Sequence, residues 1–172
     1  IWLRVYLSAM AALLTYGMNC WFLMLLYRLN SSRAAQKHRR IKDTFYQNIP
    51  RRDWPHVTIQ LPIFNELYVV ERLIKSICRF DYPKALLDIQ VLDDSTDDTV
   101  NIAKLLVKQM KAQGFDIHYV HRNDRTGYKA GALKEGLKRA KGDFVAIFDA
   151  DFIPQKTFLK NTLKFFADEK IG

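Results

Sequence analysis

From His56 onward, apolar runs with strand character alternate with segments of helical spacing, and each strand run stops at polar, mostly acidic residues. Val57, Ile59, Leu61 and Ile63 alternate as a first strand. Asn65, a residue type suited to a helix N-cap, then precedes Val70, Leu73, Ile74, Ile77 and Cys78 at helical spacing. A second strand, Ile89 to Leu92, ends at Asp93-Asp94 and is followed by a helix face of Val100, Ala103, Leu106, Val107 and Met110 that stops at Gly114. A third strand covers Ile117 to Val120, and a helix bearing Leu133 and Leu137 is stopped at Gly142. The run Phe144 to Asp151 lies between Gly142 and Pro154 without a polar interruption before its two carboxylates, which predicts a central parallel strand covered on both faces. Thr157 to Ala167 predicts a fourth helix.

This order predicts the α/β class: a mostly parallel sheet with flanking helices, joined by right-handed crossovers. Parallel strands place their carboxyl ends on one rim. Asn65-Glu66, Asp93-Asp94, the stretch Arg122 to Lys129, and Asp149 with Asp151 are therefore expected to converge.

The amino-terminal third reads differently. Val5 to Tyr27 holds no charged residue, and at about 1.5 Å per residue such a helix crosses a hydrocarbon core about 30 Å thick. Trp2, Tyr6, Trp21 and Tyr27 are placed as interfacial anchors. The only small-x-small site, Ala9-Met10-Ala11, leaves too short an apolar stretch before it for a cleaved leader. The chain carries 27 Lys+Arg against 18 Asp+Glu, a formal charge of +9. Between Arg28 and His56 lie eight basic residues (Arg28, Arg33, Lys37, Arg39, Arg40, Lys42, Arg51, Arg52) against Asp43 and Asp53, so +6 of the +9 sits there. We read residues 1–28 as a transmembrane helix and 29–55 as a basic linker, with room for an interfacial helix. Residues 56–172 form the domain that follows, on the cytoplasmic side by the positive-inside rule. A membrane location, inner or plasma membrane or Golgi, follows, with membrane lipids as partners. On this topology the acceptor pattern Asn30-Ser31-Ser32 faces the wrong compartment for glycosylation.

The basic run has no aromatic platform or nucleic-acid module beside it, which excludes nucleic acid as the partner. Cys20 and Cys78 have no metal or redox spacing and are expected to be reduced, buried thiols. His118 and His121 alternate on a strand without partner spacing and are expected to be structural. The chain begins with Ile and ends directly after a helical pattern, so a fragment of a longer protein is expected.

The rim suits a nucleoside diphosphate held through a metal. Asp149 and Asp151 are oxygen ligands of the kind Mg²⁺ or Mn²⁺ takes. Lys129 and Arg125 add positive charge for a departing diphosphate. Asp93 or Asp94 can accept a hydrogen bond from a base N–H, although the acidic run Asp93 to Asp98 also suits a helix cap.

Pro62-Ile63-Phe64-Asn65-Glu66, Val91-Leu92-Asp93-Asp94-Ser95-Thr96-Asp97, Gly127-Tyr128-Lys129-Ala130-Gly131-Ala132-Leu133 and Phe148-Asp149-Ala150-Asp151 occur in that order. Together they resemble the first half of a family 2 glycosyltransferase of the membrane-bound branch similar to cellulose synthase, particularly its mannan and glucan synthases. The resemblance covers His56 to the end of the chain. It implies a GT-A-like, Rossmann-like fold that binds a nucleoside-diphosphate sugar of the UDP-glucose or GDP-mannose type. It also implies inverting, metal-dependent transfer to a growing β-linked polysaccharide. Carried over residue by residue, it places Phe64, Asn65 and Glu66 at the nucleotide, Asp94 with Asp93 at the base or ribose, and Lys129 at the diphosphate; Pro62 and Arg125 join them as candidate donor-binding residues. Asp149 borders the donor, and Asp149 and Asp151 hold the metal, with Asp151 the more direct ligand.

The acid that serves the family as base, and its Gln-x-x-Arg-Trp segment, are expected downstream of Gly172. Glu66 is a conceivable base within the chain, ranked below that downstream acid. Alternatives from other acceptors or classes are synthesis of a lipid-linked sugar or glycolipid, nucleotidyl transfer, and a non-catalytic sugar-nucleotide-binding subunit. Oligomeric state has no signal in the sequence.

Overall fold

The structure, a computed structural model, describes residues 2–48 and 50–167, with side chains described at all of these but 32–35, 37–48 and 167. The chain divides into two compact units, Ile1–Thr44 and Phe45–Gly172.

Helix α1 (Trp2–Asn48) begins as an apolar rod. Its segment Trp2–Ser31 is long and apolar enough to cross a membrane, with a mean hydropathy of 1.6 and none of its most apolar window buried within the protein. The helix does not stop with the apolar run; it continues through the stretch read as a linker. The side chains of Arg33, Lys37, Arg39, Arg40, Lys42 and Asp43 lie outside the described residues. Asn30 donates from Nδ2 to the Leu26 carbonyl, and Ser31 Oγ to that of Arg28, so the acceptor pattern is wound into the helix. Cys20 is exposed on this rod rather than buried, because a single helix offers its side chains nothing to pack against. Cys78 is half-buried in the second unit, where burial pushes its thiol up to about 11.

The second unit is the expected α/β arrangement. Strands β1 (Val57–Ile63), β2 (Leu87–Asp93), β3 (Asp116–His121) and β4 (Phe144–Ile147) are all parallel, in the order β3-β2-β1-β4. They alternate with α2 (Val70–Ile77), α3 (Thr99–Ala112), α4 (Tyr128–Leu137) and α5 (Phe158–Leu163). The chain steps outward from β1 to β3, then α4 returns it to the other side of β1. That reversal makes the carboxyl ends of β1 and β4 a topological switch point, where a crevice opens in sheets of this kind.

The sheet faces differ in chemistry. On one, Val57, Ile59, Leu61, Ile63, Leu87, Ile89, Val91 and Ile117 join Leu73, Ile74 and Ile77 of α2, Leu106 and Met110 of α3, and Leu159 and Leu163 of α5 in a single apolar core. The other face carries Thr58, Gln60, Asp88 and Gln90, each 2% exposed or less. Gln60 Nε2 donates to Gln90 Oε1 at 3.1 Å and to the Leu133 carbonyl at 3.3 Å, and Thr58 Oγ1 donates to Asp88 Oδ2 at 2.9 Å. The backbone N–H of Gly142 donates to Thr58 Oγ1 at 2.9 Å. Helix α4 lies on this face through Gly136, where a Cβ would meet Gln60 Nε2 and Gln90 Oε1 at 2.6 and 2.7 Å. The buried residues of α4 are therefore Ala132 and Gly136, while Leu133 is half-buried and Leu137 is 59% exposed. A large side chain would hold the helix away from the amides that receive it.

Two further expectations are corrected. The run from Phe144 forms a parallel strand paired with β1 among the described residues, with Val145 and Ile147 exposed, but it is shorter than the apolar run predicted. The strand ends at Ile147, so both carboxylates stand on the turn beyond it. Asn65 is not an N-cap. It takes a left-handed conformation (φ 55°), accepts at Oδ1 from Thr96 N–H at 2.9 Å, and donates its own N–H to Ser95 Oγ at 2.8 Å. It thus ties the turn after β1 to the turn after β2, and α2 begins at Val70.

At the amino-terminal edge of the sheet, Asp116 accepts from Lys141 Nζ and pairs with His118 Nε2, each at 2.7 Å. Lys141, more than the histidine, holds the Asp116 carboxyl below its ordinary value. Asp88, Asp116 and His118 offer ligand atoms within 4.8 Å of one another, but the Asp116 carboxylate is already paired with the Lys141 ammonium.

Replacing Gln60 with Leu strands Gln90 Oε1 in the interior and is expected to cost about 1–3 kcal/mol in urea unfolding, with part recovered when Gln90 is also Leu. The Asp116–Lys141 pair contributes fully above the ordinary aspartate value of 3.8, and that contribution is lost as pH falls through the lowered folded-state value. The stability advantage of the wild type over Lys141→Met at about pH 6 is therefore expected to shrink as pH falls below the ordinary aspartate value of 3.8, read from urea midpoints.

Candidate active site

At the switch point lies a cleft of about 350 Å³, walled by Pro62 and Ile63 at the end of β1, Phe64 and Glu66 just past it, Asp94 after β2, Arg125, Lys129 and Ala132 on and before α4, and Asp149 to Asp151 after β4. Four strand ends thus reach one cavity. Of the sequence-predicted residues it gathers Pro62, Phe64, Glu66, Asp94, Arg125, Lys129, Asp149 and Asp151, but not Asn65 or Asp93.

The adjacent carboxylates at the carboxyl end of β2 have opposite fates because side chains alternate in direction along a strand. Asp93 points into the apolar-core side and is fully buried. Its Oδ1 accepts from Ser95 N–H at 2.7 Å and its Oδ2 from the Tyr119 hydroxyl at 2.6 Å. Burial, and then this bond to Asp93, raises the Tyr119 hydroxyl well above its ordinary value. Asp93 is therefore an internal tie rather than a base contact. His121 stacks on Tyr119, with ring centroids 6.2 Å apart.

Asp94 is turned towards the cleft with its side chain 5% exposed, and Arg122, at the end of β3, grips it with two bonds: Nε to Oδ1 at 2.7 Å and Nη2 to Oδ2 at 2.5 Å. The same guanidinium donates to the carbonyls of Thr126 at 3.2 Å and Tyr128 at 3.0 Å. Asp94 keeps it charged beyond its ordinary range. Sequence reasoning had this residue only as one end of a polar stretch. The signal for it was positional: the first residue past β3 lies beside the end of β2 in parallel register, and Arg122 N–H donates to the Asp93 carbonyl at 3.0 Å.

The loop before α4 is wound tightly. Asp124 Oδ1 accepts from Thr126 N–H, and Gly127 and Tyr128 both take positive φ, 74° and 49°. For Tyr128 such a conformation is strained and persists only because its surroundings fix it. The loop lays Arg125 over Phe64, its guanidinium carbon 3.3 Å from the ring centroid and 5.2 Å from that of Tyr128. These are cation–π contacts that preserve the charge while fixing its direction. Lys129, in the first turn of α4, reaches across to Asp149 and pairs with its Oδ1.

Asp149 and Asp151 are exposed, whereas Asp94 is enclosed. Asp151 has no hydrogen-bond or ion-pair partner among the described residues. Two hydrated carboxylates one residue apart, beside Arg125 and Lys129, form a donor set of the hard-oxygen type that fits Mg²⁺ or Mn²⁺ together with phosphate.

The family model for glycosyl transferase family 2 matches residues 58–172. Glucomannan 4-beta-mannosyltransferase 9 of Arabidopsis thaliana is 41% identical over 133 residues, 75% of this chain and 25% of the relative. Glucomannan 4-beta-mannosyltransferase 1 of Oryza sativa subsp. japonica is 43% identical over 116 residues, 65% and 22% of the two chains. This chain thus spans about a quarter of these relatives' length. The mannosyltransferase PcManGT of Pyrobaculum calidifontis, solved with GDP-Man and Mn²⁺, superposes with a TM-score of 0.64 at 28% identity, covering 87% of this chain and 44% of the other. The family match over most of the second unit and the parallel sheet with its rim cleft carry one conclusion: the chain belongs to glycosyltransferase family 2 and has its GT-A-like fold.

Proposed function

We propose that this chain is the donor-binding part of a membrane-anchored, inverting glycosyltransferase that extends a β-linked polysaccharide from a nucleoside-diphosphate sugar, with GDP-mannose the leading donor and UDP-glucose the next. The observation that carries this reading is the convergence in one cleft of Asp94, Arg125, Lys129, Asp149 and Asp151 from three strand ends and a helix start. The choice of mannose rests on the two glucomannan mannosyltransferases and on the archaeal enzyme that binds GDP-Man with Mn²⁺.

Each residue has a defined task in this reading. Asp94 accepts from a donor N–H or O–H of the nucleoside, against a wall made by Pro62 and Phe64. Arg125 and Lys129 meet the diphosphate; because Lys129 rests on Asp149, it is already beside the carboxylates that would hold the cation. Asp149 and Asp151 would bind Mg²⁺ or Mn²⁺, which supplies Lewis-acid stabilisation of the charge on the departing diphosphate. Deprotonation of an acceptor hydroxyl needs a separate, metal-free carboxylate. We assign that role to no residue of this cleft and place the base in the part of the relatives' length that this chain does not span. The apolar segment Trp2–Ser31 supports a membrane anchor, and the basic run after it supports a cytoplasmic catalytic domain.

Thermal-shift measurements on the chain with GDP-mannose and UDP-glucose, each with and without Mn²⁺, test donor and metal together. At donor concentrations about 100 times Kd the expected stabilisation is about 2.7 kcal/mol, present only with the metal. Asp151→Asn should remove the Mn²⁺-dependent part and leave unliganded stability unchanged. An undiminished metal-dependent shift in that variant rejects the metal assignment.

A further inference from the structure

Arg122 does not wall the cleft, yet it touches both halves of it. Four of the five N–H bonds of its guanidinium type are engaged: two on the Asp94 carboxylate, one on the Thr126 carbonyl and one on the Tyr128 carbonyl. Asp94 stands on the turn after β2, whereas Thr126 and Tyr128 flank the loop that aims Arg125 and Lys129. Planarity makes the fork rigid: a carboxylate fixed at one edge sets where the carbonyls at the other edge must lie. Two neighbouring features fit this role. A Cβ at Gly131 would run into the Thr126 carbonyl oxygen and approach Arg122 Nη1 to 2.7 Å, so the helix start closes tightly over the guanidinium. Tyr128 holds its strained φ of 49° at the residue whose carbonyl Arg122 binds.

We propose that Arg122 is a positioning residue that couples the carboxylate Asp94 to the loop carrying Arg125 and Lys129, so that the nucleoside end and the diphosphate end of a donor are bound by one mechanically linked unit. This rests on the reading of the cleft as a nucleoside-diphosphate site. A lysine cannot replace the arginine, since a single ammonium cannot span a carboxylate and two carbonyls in one plane.

The sharpest test uses Asp94→Asn. If the two halves are independent, removing a negative charge near an anion site tightens pyrophosphate binding slightly. If Arg122 couples them, loss of its charged anchor loosens the loop and pyrophosphate binds more weakly. With Mn²⁺ present and pyrophosphate as the titrant, calorimetry is expected to give at least a fivefold loss in Asp94→Asn and again in Arg122→Lys, which preserves the charge. In Arg122→Lys, competition by guanosine for bound GDP should weaken as well. Hydrogen exchange of the wild type and both variants without ligand provides a second measurement: the amides from Thr126 to Gly131 should exchange faster in both, although Asp94 bonds to none of them. Pyrophosphate affinity unchanged or raised in Asp94→Asn, or unchanged exchange at those amides, overturns the proposal. If the wild type binds neither GDP nor pyrophosphate, the reading of the cleft fails, and the exchange comparison still decides whether Arg122 couples the two segments.

Discussion

Helix α4 rests on buried hydrogen-bonding side chains, with Leu92 beside them, and the geometry of the cleft depends on that contact. Gln60 reaches the Leu133 carbonyl, Gln90 completes the amide pair, and Gly136 leaves no side chain between them. Apolar packing is non-directional and tolerates a helix that slides or rotates by a fraction of a turn, whereas buried hydrogen bonds do not. The first turn of this helix carries Lys129, and the loop before it carries Arg125. The two sheet faces therefore have separate tasks. The face of Ile59, Leu61, Ile89 and Val91 supplies the apolar burial that holds the domain together, and the face of Thr58, Gln60, Asp88 and Gln90 sets the position of the cationic side of the cleft.

Burial also decides what each carboxylate on the rim can do. An enclosed carboxylate is tolerated only when its lone pairs are met by donors, so Asp93 is tied to Ser95 and Tyr119, and Asp94 to Arg122. Asp149 and Asp151 are exposed beyond the end of β4, Asp149 beside Lys129 and Asp151 open to solvent, where a metal cation can reach them. One rim thus combines rigid acceptors with accessible ligands. A donor with a nucleoside at one end and a metal-bound diphosphate at the other calls for that combination.

Much of this was legible in the sequence. The apolar alternation from Val57 and the run from Ile89 gave their strands to within a few residues, and the repeated placement of polar residues at strand ends foretold a shared rim. The acidic pair after Phe148 and the Gly127-Tyr128-Lys129 turn also lie where a parallel sheet puts them. Other readings fell short for a common reason. Asn65 has the chemistry of a helix cap, but the Thr96 amide from another turn competes for its side chain. The helix bearing Leu133 and Leu137 forms, but its spacing did not show that Ala132 and Gly136 are what it buries, because Gln60, Gln90 and Leu92 on distant strands make the surface that receives it. The run from Phe144 is a parallel strand, but it ends at Ile147, because its apolar residues do not show where pairing with β1 stops and the turn carrying the two carboxylates begins.

What the sequence determined by itself was the list of local elements, the parallel class of the sheet and the residue types on its rim, because periodicity and turn chemistry act over a few neighbouring residues. Tertiary structure alone decided that β4 returns to the far side of β1, that of two adjacent aspartates one faces the cleft and the other the interior, and that Arg122 spans from Asp94 to the loop before α4. Those outcomes depend on which distant segments share a surface, and that is set by the packing of the whole sheet and its helices, which no local pattern encodes.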